Sequence, residues 1–202
     1  MKINLYALRA IYLHEMDRFR RTLTQSVLSP VLTTSLYFIV FGSVIGGYVE
    51  KIDGISYGSY IVPGLLMLTL LTQSISNTSF GIFFPKFNGT IYEILAAPIS
   101  TLEVVLAFVG AGATKTLIVS IIIFITSLFF VDVQVKYPLL MIFLLILVAF
   151  TFALFGFLIG LMSSDFEQMS IIPTLFVTPM VFLCGSLYSL DILPSFCPDS
   201  YT

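Results

Sequence analysis

The sequence predicts an all-α polytopic membrane bundle, five spans following an amphipathic N-terminal helix, and three observations carry the prediction. The chain of 202 residues is 58% hydrophobic and 10% charged, with a mean hydropathy of +1.05, whereas soluble domains are about 25% charged. It contains five apolar runs that each meet the roughly 20 residues a helix needs to cross a hydrocarbon core of about 30 Å. Stretches such as IVSIIIFITSLFFV are apolar on every face, where a membrane β-strand would alternate. In lipid, such segments satisfy their backbone polar groups as helices.

The elements follow in order. In residues 1–22, Leu5, Leu8, Tyr12, Met16, Phe19 and Leu23 recur at steps of three and four, with Arg9, Asp17, Arg20 and Arg21 largely off that stripe. The charges interrupt any signal-peptide core. This segment is expected to be an amphipathic helix in the cytosolic interface; a basic flank that merely anchors the first span is the simpler alternative. Spans are expected at 23–48, 57–84, 104–131, 137–162 and 169–190, together the transmembrane domain 23–190, with an external tail at 191–202. The short connections 49–56, 132–136 and 163–168 pack neighbouring helices antiparallel.

One interior loop is long. Residues 85–103, PKFNGTIYEILAAPISTLE, open with Pro85, turn at Asn88-Gly89 and continue into a short helix-compatible stretch closed by Pro98. A helix of one or two turns is unstable alone, so Ile91, Ile94 and Leu95 are expected to pack inward while Tyr92 and Glu93 face a partner. Positive charge near span ends sets the orientation. Lys2, Arg9, Arg18, Arg20, Arg21 and Lys86 fall on one side against Lys51 and Lys136 on the other. The N-terminus and Asn88 are therefore expected in the cytosol and Asp53 outside.

Much chemistry is excluded. A net charge of -2 leaves no basic surplus for nucleic acid. Cys184 and Cys197 do not form a disulfide framework or a zinc site, and the single histidine, His14, lies outside the spans. Gly185-Ser186 lacks the rest of a nucleophile elbow. Residues 110–116 (GAGATKT) depart from a phosphate-binding loop, which needs glycine where Thr114 and Val109 stand. No catalytic residue, metal site or cofactor of its own is expected, and the chain is not read as an enzyme. Any ATP that drives it binds elsewhere.

Polar residues inside the spans remain to be placed. Lys115 falls eleven residues into the third expected span, about 17 Å along a helix, where a cation must pair or reach water. It either faces a polar conduit or partner helix, or snorkels to the cytosolic surface. Span two carries Thr69, Thr72, Gln73, Ser74, Ser76, Asn77, Thr78 and Ser79, too polar for lipid; interhelical hydrogen bonds and a substrate pathway both explain this. Gly42/Gly46 and Gly156/Gly160 have the spacing of close helix approach. Pro30, Pro63, Pro173 and Pro179 are expected to break or kink spans one, two and five.

Over nearly its whole length the pattern resembles the permease subunit of type-2 ABC exporters. The likeness rests on the amphipathic segment before span one, on residues 60–66 (YIVPGLL), on 87–100 (FNGTIYEILAAPIS) leading into Glu103, and on 182–187 (FLCGSL) with Leu193-Pro194. By that resemblance Gly89, Thr90, Tyr92, Glu93, Leu95 and Pro98 belong to a coupling helix that seats on a separate ATPase subunit. ATP and Mg would bind that ATPase. The resemblance also implies a second permease subunit, in a homodimer or a heterodimer, a cell inner membrane location and an unknown exported substrate; Gln73, Asn77 and Lys115 are the span residues expected to line its pathway or to make helix contacts. Family members have a sixth span, and residues 195–202 (SFCPDSYT) lack its usual continuation, so a truncated, non-transporting membrane protein is one rival reading. The other is an ion-driven secondary transporter, against which Glu103, Asp132 and Asp165 all fall at span ends.

Overall fold

The computed structural model describes residues 4–40, 51–52, 55–131 and 136–183. Its elements are α1 (Leu5–Arg21), α2 (Leu23–Tyr37, continued by a wider turn to Val40), a minimal antiparallel pair β1 (Lys51–Ile52) and β2 (Ile55–Ser56), then α3 (Tyr57–Phe87), α4 (Ile91–Ala96), α5 (Thr101–Phe130), α6 (Pro138–Met162) and α7 (Phe166–Leu183). The fold is helical, as expected. Among the described residues, three helices are long and apolar enough to cross a membrane: Leu23–Val40, Thr101–Phe130 and Pro138–Met162. The segments expected as spans two and five are helical too, as α3 and α7. The pair Gly42/Gly46, Asp53, Asp132, both cysteines, the ends of spans one and five and the tail 191–202 lie outside the described residues.

Local chemistry sets the element ends. Pro138 occupies the first turn of α6, where its missing N–H and fixed φ are harmless. Glu103 reaches back from the first turn of α5 to accept the Ser100 N–H at 3.0 Å, half of a capping box. Asn4 caps α1, and Arg18, Arg20 and Arg21 sit in its last turn, where cations complement the carbonyl end. Thr22 leaves helical geometry and separates α1 from α2.

The long helix α3 forms the centre of the bundle, packed on α5, α6 and α7. Its 31 residues extend about 46 Å. Towards α6 the approach is set by glycine. A Cβ at Gly156 would stand 2.5 Å from the Ile75 carbonyl oxygen and 2.8 Å from its Cα, and one at Gly160 would stand 2.6 Å from the Ser79 carbonyl oxygen. The expectation from the Gly156/Gly160 spacing is met. Ser74 then donates to the Ala149 carbonyl across the same seam at 2.6 Å, whereas Thr69, Thr72 and Ser79 donate to carbonyls of α3 itself. Leu70, Phe108, Ala113, Ala153 and Phe157 fill one core where α3, α5 and α6 meet, and Phe19, Phe38, Ile61, Leu65 and Ile123 fill a second nearer α2. Leu139, Phe143, Leu147, Leu154 and Leu158 of α6 point outward, a surface suited to lipid.

Prolines interrupt less than expected. Pro30 and Pro63 lie inside continuous α2 and α3, and α7 runs unbroken past positions 173 and 179. Pro85 does not open the loop; α3 continues through it to Phe87 and ends where Gly89 takes φ +78°, a left-handed conformation open to glycine. The reason is tertiary. Phe83 and Phe87 hold Phe166 edge-on at centroid distances of 4.8 and 4.9 Å, fixing the last turn of α3 against the start of α7.

Candidate functional site

Helix α1 leans along α5 and runs parallel to it. The Asn4 N–H donates to Glu103 Oε1 at 2.7 Å, the Tyr12 hydroxyl donates to Thr114 Oγ1 at 3.1 Å, and Glu15 meets Lys115 at 2.8 Å. Its packed face departs from the apolar stripe. Leu5 and Leu23 are exposed, whereas Glu15 is buried beside Phe19. A carboxylate wins that inward position because α5 presents a cation to it.

The centre of the site is the cluster Glu15, Arg18 and Lys115. Glu15 Oε2 lies 2.8 Å from Lys115 Nζ and 2.7 Å from Arg18 Nη2. The Glu15 and Lys115 side chains are each 4% exposed and that of Arg18 26%. The Lys115 amine ends on Glu15 of α1, and Lys115 also lines the cavity beside the cluster. A buried charge without a partner would cost several kcal/mol, so the pair also explains how α5 tolerates a lysine at this depth. Arg18 additionally lies over the Phe80 ring, 5.3 Å from its centroid. Gly81 leaves room for the cluster, since a Cβ there would stand 3.4 Å from Glu15 Oε2.

Beside the cluster opens a polar cavity of about 420 Å³, bounded by α1, α2, α3, α5 and α7. It brings together two of the three residues singled out from the spans, Asn77 and Lys115, and Asn77 Nδ2 donates to Gln73 Oε1 at 3.4 Å just behind it. Among the described residues, no group of three or more histidines, cysteines or carboxylates could hold a metal ion.

The loop residues lie elsewhere, around α4. Ile91 and Ile94 pack with Val104 and Val105 against the core of α3, α5 and α6. Tyr92 and Leu95 stand out at 72% and 63% exposed, and Thr90, Glu93 and Pro98 are exposed as well. The inward packing expected of Leu95 is therefore corrected: six residues of helix turn only two isoleucines, at positions 91 and 94, toward the bundle. The Thr90 hydroxyl donates to the Pro85 carbonyl at 3.4 Å, and Gly89 makes the turn. From α4 the chain reaches Ser100 and Glu103. That one carboxylate, itself buried, accepts the Ser100 N–H with one oxygen and the Asn4 N–H with the other, tying the exit of α4 to the start of α1.

Sequence reasoning missed Glu15, Glu103 and Lys86 as organising residues. Glu15 carried a signal, since it shares a helix face with Leu8, Tyr12 and Phe19. Lys86 donates to the carbonyls of Leu161 and Ser163 at 2.7 and 2.9 Å, capping α6 from the end of α3, and nothing in the spacing of those segments announces it.

The chain is a helical bundle of membrane type with a buried ion cluster beside a polar cavity, and it belongs to the ABC-2 type transporter family, whose sequence profile matches residues 6–198. It is a multi-pass membrane protein. It is similar to the inner membrane transport permease YadH of Escherichia coli K12, 39% identical over 190 residues that cover 94% of this chain and 74% of YadH. More distantly it is similar to nodulation protein J of Rhizobium leguminosarum bv. viciae, 22% identical over 92% of this chain and 72% of that protein, and of Rhizobium meliloti, 23% identical over 92% and 71%. No solved structure matches it.

Proposed function

We propose that the chain is the transmembrane permease subunit of an ATP-driven exporter in a cell inner membrane, paired with a second permease and coupled to a separate ATPase subunit. The observation that carries this reading is α4. Ile91 and Ile94 anchor one face of it, while Tyr92 and Leu95 leave an aromatic and an aliphatic side chain in solvent with Glu93 between them. Exposed large apolar groups beside a charge are what a docking surface presents. Family membership and the permease relative support the same reading, with α3 and α7 as further spans.

In this mechanism the ATPase pair closes on ATP and presses on α4. The push reaches α5 through Ser100 and Glu103 and reaches α1 through the Asn4 contact with Glu103. Lys115 and Glu15 carry it further along α5, because a buried ion pair resists separation. The helices α1 and α5 then move as one body. Gly89, Thr90 and Pro98 shape the turns that hold α4 in place.

The test is co-purification with the cognate ATPase. Replacing Tyr92 and Leu95 together by alanine should weaken the complex by about 2 kcal/mol or more, as for buried interface anchors, and Glu93→Lys should weaken it and disconnect ATP turnover from substrate. Tyr137→Ala, an exposed aromatic at the far end of the bundle, is the matched control. Undiminished co-purification of the Tyr92/Leu95 double variant would remove α4 as the docking element.

A further inference from the structure

The polar cavity beside the ion cluster carries a charge that nothing among the described residues neutralises. Glu15 is a single carboxylate held between Lys115 and Arg18. The neighbouring acid on α1, Asp17, is turned toward Arg20 at 3.9 Å, both of them exposed. Among the described residues no other carboxylate pairs with Arg18 or Lys115. A net charge of one positive unit therefore faces the cavity from Arg18, in surroundings where Lys115 and Glu15 are nearly shut off from water. Buried or half-buried charge of this kind is ordinarily compensated.

The walls offer hydrogen bonding to match. Gln25, Ser76 and Ser170 make no side-chain hydrogen bond within the described residues, and Asn77 makes one long one, to Gln73. The guanidinium of Arg18 spends one nitrogen on Glu15, and its planar fork suits a carboxylate or phosphate. At about 420 Å³ the cavity is the size of a small-ligand pocket, roughly 300–1,000 Å³, and far larger than a bare ion. Gln25 also lines a second hollow of about 540 Å³, running along α2 past Leu28 and Leu32, both exposed. This second hollow is an open surface of α2 alone, adjoining the cavity at Gln25.

We propose that the polar cavity and the adjoining exposed apolar face of α2 bind a singly charged phosphodiester-type anion carried on an amphipathic molecule, its charged group between Arg18 and Asn77 and its apolar part along α2. One positive charge matches one negative charge; the donors match several oxygens; the exposed Leu28 and Leu32 of α2 match an alkyl chain. The site stands whether or not the chain exports what it binds.

Binding to the full chain in neutral detergent, followed by native mass spectrometry and equilibrium titration, tests this with three probes. Dihexanoylphosphatidylglycerol is the anionic amphiphile, glycerophosphoglycerol is its soluble headgroup, and dihexanoylphosphatidylcholine has the same tails without net charge. The first should bind at one per chain and saturate. Arg18→Gln should weaken it about tenfold or more, the scale of a charge-assisted hydrogen bond, while Arg20→Gln, an equal loss of charge two residues away, leaves it unchanged. Ser76→Phe, which touches no ion pair, should block the cavity and abolish binding even where Arg18→Gln perturbs folding. If glycerophosphoglycerol binds as tightly as the amphiphile, the anion site stands and its ligand is soluble, with no part for the apolar face of α2. Equal binding of the zwitterionic probe, or binding indifferent to both Arg18→Gln and Ser76→Phe, would overturn the proposal.

Discussion

Lys115, Glu15 and Arg18 share one carboxylate, so the three substitutions at this cluster are not equivalent. Glu15→Gln leaves two cations facing one neutral amide, with Lys115 buried and unable to reach water. That change should destabilise the protein by about 3–5 kcal/mol, the cost of breaking a buried pair from one side. Lys115→Met should cost less, because Glu15 keeps Arg18 at 2.7 Å and methionine fills the lysine volume. The double variant, Glu15→Gln with Lys115→Met, should recover most of the loss, since only the partly exposed Arg18 then remains charged. Thermal unfolding of the four proteins in detergent closes the cycle. Additive losses would mean that Lys115 and Glu15 do not act as a pair.

Between helices, contact distance and not hydrogen bonding sets which positions tolerate change. Gly156 of α6 meets the backbone of Ile75 on α3, and backbone cannot swing aside as a side chain can. Gly156→Ala should therefore separate the two helices and cost about 1–3 kcal/mol. Gly110→Ala is the internal comparison, because a Cβ there meets nothing within 4 Å, and removing a mid-helix glycine gains about 0.5–1 kcal/mol. Opposite shifts in melting temperature are expected, and a neutral Gly156→Ala would show that the seam is looser than drawn. The same contrast explains what was legible in advance. The bounds of α5 and α6 were read within three residues, 104–131 against Thr101–Phe130 and 137–162 against Pro138–Met162, because an unbroken apolar run has one solution in lipid. Pro85, Leu95 and the inward face of α1 were misread because each is decided by a distant partner: Phe166 for the end of α3, the core around Val104 for α4, and Lys115 for Glu15. The Gln73, Asn77 and Lys115 set was recognisable as polar groups in apolar helices, but their arrangement around a cavity depends on α1 and α2.

At the scale of the whole molecule, contacts show which helix ends share a face. Lys86 at the end of α3 caps α6 at Leu161 and Ser163, and Phe83 and Phe87 hold Phe166 at the start of α7. The ends of α3 and α6 and the beginning of α7 therefore share one face. Asn4 joins Glu103 there, at the start of α5, together with α4. Lys136 lies at the opposite end, just before α6. The distribution of positive charge along the chain predicts that this shared face is the cytosolic one. Single cysteines at Asn88, Ser164 and Lys136, introduced after Cys184 and Cys197 are changed to serine, test the arrangement with a membrane-impermeant maleimide. In intact cells position 136 should label, while 88 and 164 should label after permeabilisation alone. Position 164 is the more searching of the two, since its placement rests on the Lys86 contact and not on the distribution of charge along the chain. Labelling at 164 with protection at 88 would separate the ends of α3 and α6 and undo the packing that places α4, Glu103 and the ion cluster along one path.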